Sequence, residues 1–381
     1  MTPAFRAFAA LALLTLAACA IAQAPAPIVR FAFDDTDGGW NGQGTNCRAS
    51  ITTQSSFNGA GALKFEYDLK PKAMSGLAWM PSEGALAGAT MFRFWVRVEQ
   101  PTTLALMVQE RGGGRYTSMF AAPKGKWQKV EVSTSDLILN EGANDPRDAD
   151  GKLNVERIEA VSFGDLAQFI AQAGSPEFAA LLGLELGPRT MMLDDFTVTA
   201  EKPTPGYTVS AKEVVLDTFA RPQAAWLATC AAEIGKAATT GAARALVATY
   251  RQMAGRIVAL GRAVPKGVMK GMGRLSFTVS SQRHAMLLVQ VEEAGGGKFN
   301  TIVEVDEGSA DKQITVECAN LNAADDSPVK DRGVKMELAT QVVFIDAAMF
   351  GGAASEQDNV LTISELKLRP AQSALAVGLP V

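Results

Sequence analysis

Arg93, Trp95 and Arg97 alternate with Phe92, Phe94, Val96 and Val98, so an extended chain sets the indole between two guanidinium groups on one face. The next run repeats the alternation, with Leu104, Leu106 and Val108 opposite Ala105, Met107 and Gln109. Arg93, Trp95, Arg97, Met107 and Gln109 are therefore expected to form one outward strip, with Tyr116 and Trp79 as neighbours. Such a strip could bind a sugar: the aromatic face stacks on ring C–H groups while polar side chains hydrogen-bond hydroxyls. An outward Trp between arginines is costly unless it binds something or is covered. Covering by a loop or by the 166–182 segment is the alternative.

Little else in the chain is reactive. His284 is the only histidine, which removes multi-histidine zinc sites and any Ser-His-Asp set. Glycoside cleavage needs two placed carboxylates, and no strand carries glutamates at alternate positions. The acidic stretches 144–150 and 325–331 read as solvated turns. Gly112–Gly114 and Gly295–Gly297 lie between strands, so they read as hairpin turns and not as a phosphate cradle, which needs a following helix. No catalytic residue is assigned, and the chain is expected not to be an enzyme.

The elements that carry these residues occur twice. Ala62–Tyr67 returns as Ala245–Tyr250, Phe94 as Phe277, and Glu110–Tyr116 as Glu293–Phe299, all at an offset of 183 (62 to 245). Val161-x-Phe163-x-Asp165 returns as Val342-x-Phe344-x-Asp346. A repeat this long is a duplicated domain, not a solenoid unit. Both copies show period-two alternation with the same inward parity: Leu275, Phe277 and Val279, then Leu287, Val289 and Val291. The outward positions of copy two are Ser276, Thr278, Ser280, Gln290 and Glu292, so the aromatic strip is missing there. Domain 1 is expected over 28–200, a linker over 201–212, domain 2 over 213–370 and a tail over 371–381. The extra residues of copy one, 166–182, have helical spacing and would cover a sheet edge or wall a groove.

Composition, 48% hydrophobic and 20% charged, is that of a globular protein, and the net charge of −4 gives no sign of a nucleic-acid partner. Residues 1–22 read as a signal peptide, with Arg6 before the apolar stretch Ala7–Ala18. Leu16-Ala17-Ala18-Cys19 looks like a bacterial lipobox that would leave Cys19 lipidated; Ala20-Ile21-Ala22 before Gln23 fits an ordinary cleavage site. The membrane would then be reached only through an anchor at Cys19. Either way the chain is exported, to the cell envelope or to the periplasm or medium. Cys47, Cys230 and Cys318 are too few and too odd for a disulfide scaffold; Cys47 and Cys230 are equivalent positions, and a Cys230–Cys318 bridge stays open.

The ordered set Phe33-Asp34-Asp35, Trp40, Gly61–Phe65, Phe92–Val96, Trp127–Val130 and Leu193–Val198 resembles the galactose-binding-like β-jelly-roll. It is most similar to family 11-type carbohydrate-binding modules and the related complex-I intermediate-associated protein domain. Copy two matches more roughly, through Leu216-Asp217, Trp226 and Ile363–Leu366. The resemblance implies an all-β fold of two tandem antiparallel β-sandwiches, and a polysaccharide or glycan partner on the concave face of domain 1. It also implies a structural Ca²⁺ held by Asp34 or Asp35 with Asp195, completed by carbonyls around Asn58–Gly61, and more weakly by Asp217 and Glu365 in copy two. The functional expectation is an exported, lipid-anchored, non-catalytic carbohydrate-binding protein. The alternatives are a structural or protein-interaction module of the bacterial cell envelope, and a glycoside-active enzyme.

Overall fold

The computed structural model of the 381-residue chain describes residues 26–371 except 143, 174–175, 223–224, 237–243 and 353–354. The expected signal peptide, Cys19 and nearly all of the 371–381 tail lie outside the described residues.

The first half runs β1 (Val29–Phe31), β2 (Asn41–Gln43), β3 (Cys47–Thr52), β4 (Ala62–Leu69), β5 (Gly76–Trp79) and β6 (Met91–Val98). It continues with β7 (Thr102–Glu110), β8 (Arg115–Ala122), β9 (Gln128–Ser133), β10 (Ile138–Leu139) and β11 (Ile158–Asp165). Two short helices, α1 (Leu166–Ala173) and α2 (Pro176–Leu181), precede β12 (Gly187–Thr199). One sheet has the order β3-β4-β12-β6-β9, with β1 also on β12; the facing sheet has the order β10-β8-β7-β11-β5-β2. Pairing within both is antiparallel. The inward side chains expected from alternation, Phe92, Phe94, Val96, Leu104, Leu106 and Val108, are all buried between the sheets. Phe94 and Trp40 pack on Phe196 at 5.9 and 5.1 Å, so rings from strands distant in sequence meet at the centre.

The second half contains β13 (Thr208–Val209), β14 (Val214–Val215), β15 (Trp226–Ala228), β16 (Ala231–Gly235), β17 (Ala245–Arg251) and β18 (Val258–Ala263). Then come β19 (Arg274–Ser281), β20 (Ala285–Glu293), β21 (Lys298–Val305), β22 (Ser309–Glu317), β23 (Asn322–Ala323), β24 (Ala339–Asp346) and β25 (Asp358–Arg369). One sheet places β13-β14-β25-β17-β16 together with β19 and β22; its partner is ordered β15-β18-β24-β20-β21-β23. The chain is thus two antiparallel sandwiches, each with its own core. Part of the stretch expected as linker forms β13, which joins the edge of the third sheet through β14. Cys47, Cys230 and Cys318 are free thiols, so the Cys230–Cys318 bridge is not formed.

Two buried polar devices recur in both copies. Tyr67 donates its hydroxyl to Asp165 at 2.5 Å, and Tyr250 donates to Asp346 at 2.7 Å. Each aspartate ends a strand and accepts the backbone N–H of the following helical turn, from Ala167 or Ala348. Burial, then the neighbouring carboxylate, pushes both phenols well above their ordinary pKa, which keeps them protonated donors. The second device explains the glycine runs more fully than turn chemistry does. A Cβ on Gly113 would come within 2.6 Å of the Glu110 carboxylate, and one on Gly297 within 2.8 Å of Glu293, both buried glutamates. The glycines therefore make room for a folded-in carboxylate as well as supplying positive φ at Gly112, Gly295 and Gly296.

The domains are joined by buried contacts. Arg221 grips Asp136 with both terminal nitrogens, and Asp136 also accepts from the Ser133 amide at 2.8 Å. Thr103 Oγ1 donates to the Ala228 carbonyl at 2.7 Å and accepts its N–H at 2.8 Å. Ala121 of β8 packs into the core of the second domain. Replacing Tyr67 with Phe removes one donor from a buried carboxylate. We expect a loss of about 1–3 kcal/mol of unfolding free energy in urea melts; an unchanged midpoint would show that Asp165 does not need the phenol.

A groove on the second sheet of the first domain

The expected strip does not exist as one surface. β6 lies in the first sheet and β7 in the facing one, so Arg93, Trp95 and Arg97 point away from the molecule on the side opposite Met107 and Gln109. Alternation fixes which side chains face the core, but not to which sheet the following strand belongs.

On the first sheet the strip is closed by its own surroundings. Phe57 stacks on Trp95 with ring centroids 3.4 Å apart and planes 13° from parallel, while Trp127 meets Phe57 at 6.5 Å edge-on. The loop that carries Phe57 is held by Asp194, whose buried carboxylate accepts the Phe57 and Asn58 amides at 2.7 and 3.0 Å. Arg97 donates to Ser55 of the same loop at 2.9 Å, and Arg93 pairs with Glu131 and Glu201. Tyr116 and Trp79 do not border this strip either. Tyr116 is buried in the core with its hydroxyl on Asp148 at 2.9 Å, and Trp79 points inward against Phe31 at 5.0 Å and Trp40 at 6.1 Å. Both sit on the inward parity of β8 and β5.

The carboxylates implied for calcium do not fit a cation here. Asp34 accepts the Ala60 amide at 2.5 Å, and Asp195 pairs with Arg30 at 3.0 Å. Asp35 is exposed. In the second copy Asp217 holds the Trp226 indole N–H at 2.6 Å and lies 2.8 Å from the Arg262 guanidinium, and Glu365 accepts from Thr278 at 2.9 Å. Calcium requires converging oxygens, whereas these carboxylates face N–H, O–H and guanidinium groups. Among the described residues no three His, Cys, Asp or Glu side chains cluster to hold a metal.

Met107 and Gln109 do line a cavity, but with other partners. On the outer face of the second sheet Thr117, Met107, Ser162, Ala78 and Asn41 are register neighbours across five strands. The next row contains Arg115, Gln109 and Ala160; the row on the other side contains Met119, Ala105, Gly164, Gly76 and Gln43. The centre is therefore floored by Gly, Ala and Ser, and larger side chains rise around it. Met74, Met80 and Phe169 form walls of a groove of 480 Å³. Gly164 permits this shape, since a Cβ there would meet Met107 at 3.0 Å and the Phe169 ring at 3.5 Å.

Phe169 is supplied by α1; the second copy has in its place the shorter helical turn Ala348–Gly351, with Phe350 exposed. Gln168, beside Phe169 and buried, accepts the Ser75 amide at 2.6 Å and donates to the Ser75 carbonyl at 2.8 Å, locking helix to sheet edge. The helix thus both covers an end of the sheet and walls the groove. Gln109 donates to the Gly113 carbonyl at 2.9 Å, and Arg115 lies 3.4 Å from Asp145 at the mouth. Among the described residues no Asp or Glu lines this groove; the exposed Phe169 ring, the Arg115 guanidinium and several amide and hydroxyl groups do. Ser162, Arg115 and Phe169 were missed by the sequence reading; the parity of β8 and β11 places the first two outward.

The chain matches no protein-family model and no curated protein. Among solved structures it is similar to the family 11 carbohydrate-binding module from Clostridium thermocellum in complex with a β-1,3-1,4-mixed-linked tetrasaccharide. That likeness has 11% identity and a TM-score of 0.36 over 46% of this chain and 96% of that one. The N-terminal CBM22-1–CBM22-2 tandem domain from Paenibacillus barcinonensis Xyn10C is similar over 91% of this chain and 98% of that one, at 11% identity and a TM-score of 0.29. An exo-β-agarase is similar over 47% of this chain but 25% of its own, at 17% identity and a TM-score of 0.33. The tandem sandwich architecture itself stands on the strand pairing above. Removing the Phe57 ring should uncover Trp95: in Phe57→Ala we expect stronger acrylamide quenching of tryptophan emission than in wild type, and none of that increase in Phe57→Ala/Trp95→Phe. Equal quenching in all three would mean that the loop does not cover the indole.

Proposed function

We propose that this is an exported, non-catalytic carbohydrate-binding protein that holds a glycan in the groove on the second sheet of its first domain. The observation that carries the reading is the groove's construction: a flat floor of Ala78, Ala160, Ser162 and Gly164 beside a Phe169 ring, with Gln43, Gln109 and Arg115 at its margins. Small residues let a flat pyranose approach the sheet, the ring offers a C–H stacking face, and the amides and guanidinium match hydroxyls. The same lining supports the non-catalytic reading, because hydrolysis would need a pair of carboxylates on the groove. Trp95 has no part in it.

Met74, Met80 and Met107 also line the groove, and methionines adapt to apolar peptides as readily as to sugars. This favours a second reading, a protein-interaction module of the cell envelope. Affinity electrophoresis against soluble polysaccharides separates the two. We expect retardation of wild type and of Trp95→Ala, and a loss of at least about tenfold in affinity for Ser162→Trp, which fills the floor. A Ser162→Trp protein that is folded and retarded like wild type would remove the groove from the account, and no retardation by any polysaccharide would favour the peptide.

Anchoring is part of the proposal through the lipobox at Leu16–Cys19. Metabolic labelling with a fatty-acid analogue in a bacterial host should mark wild type and not Cys19→Ser. An unlabelled wild type would favour cleavage after Ala22 and a soluble exported form.

A further inference from the structure

The groove does not end at the edge of the first domain. Arg115, at its margin, is followed on the same face of β8 by Thr117 and Met119, and these line a cleft whose opposite wall belongs to the second domain. That wall is made by Leu227, Ala263 and Gln341. Through Ile138 and Thr340 the cleft opens into a wider space of 660 Å³, where Lys266 and the bare backbone of Gly295–Gly296 face Leu139 and Glu141. Outward residues two apart on a strand are about 7 Å from each other, so groove and cleft form one path. At about 4.8 Å per strand, the path across the five strands from β2 to β8, where the cleft begins, is roughly 19 Å long.

The cleft has the chemistry of the groove. Thr117, Asn140, Thr340 and Gln341 are neutral hydrogen-bonding groups, and Met119, Ile138, Leu227 and Ala263 supply apolar surface. Among the described residues the buried Thr117 hydroxyl has no hydrogen-bond partner, a cost that a ligand hydroxyl would relieve. Asp136, the carboxylate on the lining among the described residues, is already held by Arg221. Gln341 lies over Gly261, where any Cβ would meet its amide, so a glycine of domain 2 keeps this wall low. The spacing of the walls is fixed by the buried Asp136–Arg221 and Thr103–Ala228 contacts.

Resting on the groove reading above, we propose that the ligand is a linear, uncharged polysaccharide bound along its length, whose continuing end enters the interdomain cleft. The second domain then acts as the far wall of a shared site and not as an independent binder.

Calorimetric titration of the full chain with cello- and xylo-oligosaccharides, from trimer to octamer, tests this. In whichever series binds, wild type should gain about tenfold or more in affinity between the shortest and longest members. Ala263→Trp, which fills the cleft, should abolish that gain and leave trimer affinity unchanged; Gln341→Ala, which only deletes a side chain, should reduce the gain while the protein keeps its melting temperature. A length gain that survives in both variants, or no gain in wild type, overturns the shared site while leaving the groove in place. Absence of binding by every oligomer overturns both.

Discussion

Each strand of this protein has two faces, and burying one commits the other to solvent or to a neighbour. That constraint governs everything else in the molecule. The inward face must supply a close-packed interior, and both copies meet it with the same parity, Phe94 in one and Phe277 in the other at the centre of the sheets. The outward face carries no such demand. It has diverged into a loop-covered, salt-bridged surface on one sheet of domain 1 and a small-residue groove on the other.

Within the cores, a few buried polar groups decide where strands stop and loops begin. The Tyr67–Asp165 and Tyr250–Asp346 pairs close the same corner in both copies, and each aspartate also holds the next turn. Asp217 does comparable work at the opening of domain 2, tying Trp226 and Arg262 together where metal coordination had been expected. An isolated buried carboxylate is too costly to keep, so each is surrounded by donors. That requirement is why the buried acids at strand ends here organise loops.

The same logic joins the domains. Arg221 and Asp136 are almost completely excluded from water, and a charge pair of that kind is destabilising unless both members stay in place. The interface therefore behaves as a fixed joint, with Ala121 of one domain inside the core of the next. The cleft beside it keeps its width, and the outer face of β8 passes from groove to cleft without a break.

The duplicated domain, the strand alternation, the inward residues and the exclusion of histidine-based chemistry were all legible in the residues, because they depend on local period and on composition. Gln109 and Met107 were rightly read as outward, and the 166–182 segment as helical. What the chain could not disclose was which sheet each strand joins. A three-residue link, Glu99 to Pro101, turns the chain from one sheet to the facing one, and that single turn separates Trp95 from Met107 by the thickness of the sandwich. Phe57 over Trp95, and Phe169 beside Gly164, are contacts between segments far apart in sequence, set by how loops and helix pack once the sheets exist. Side-chain parity belongs to the sequence because one residue's neighbours determine it; the site belongs to the tertiary structure because it is assembled from strands whose order is fixed only when the two sheets close on a common core.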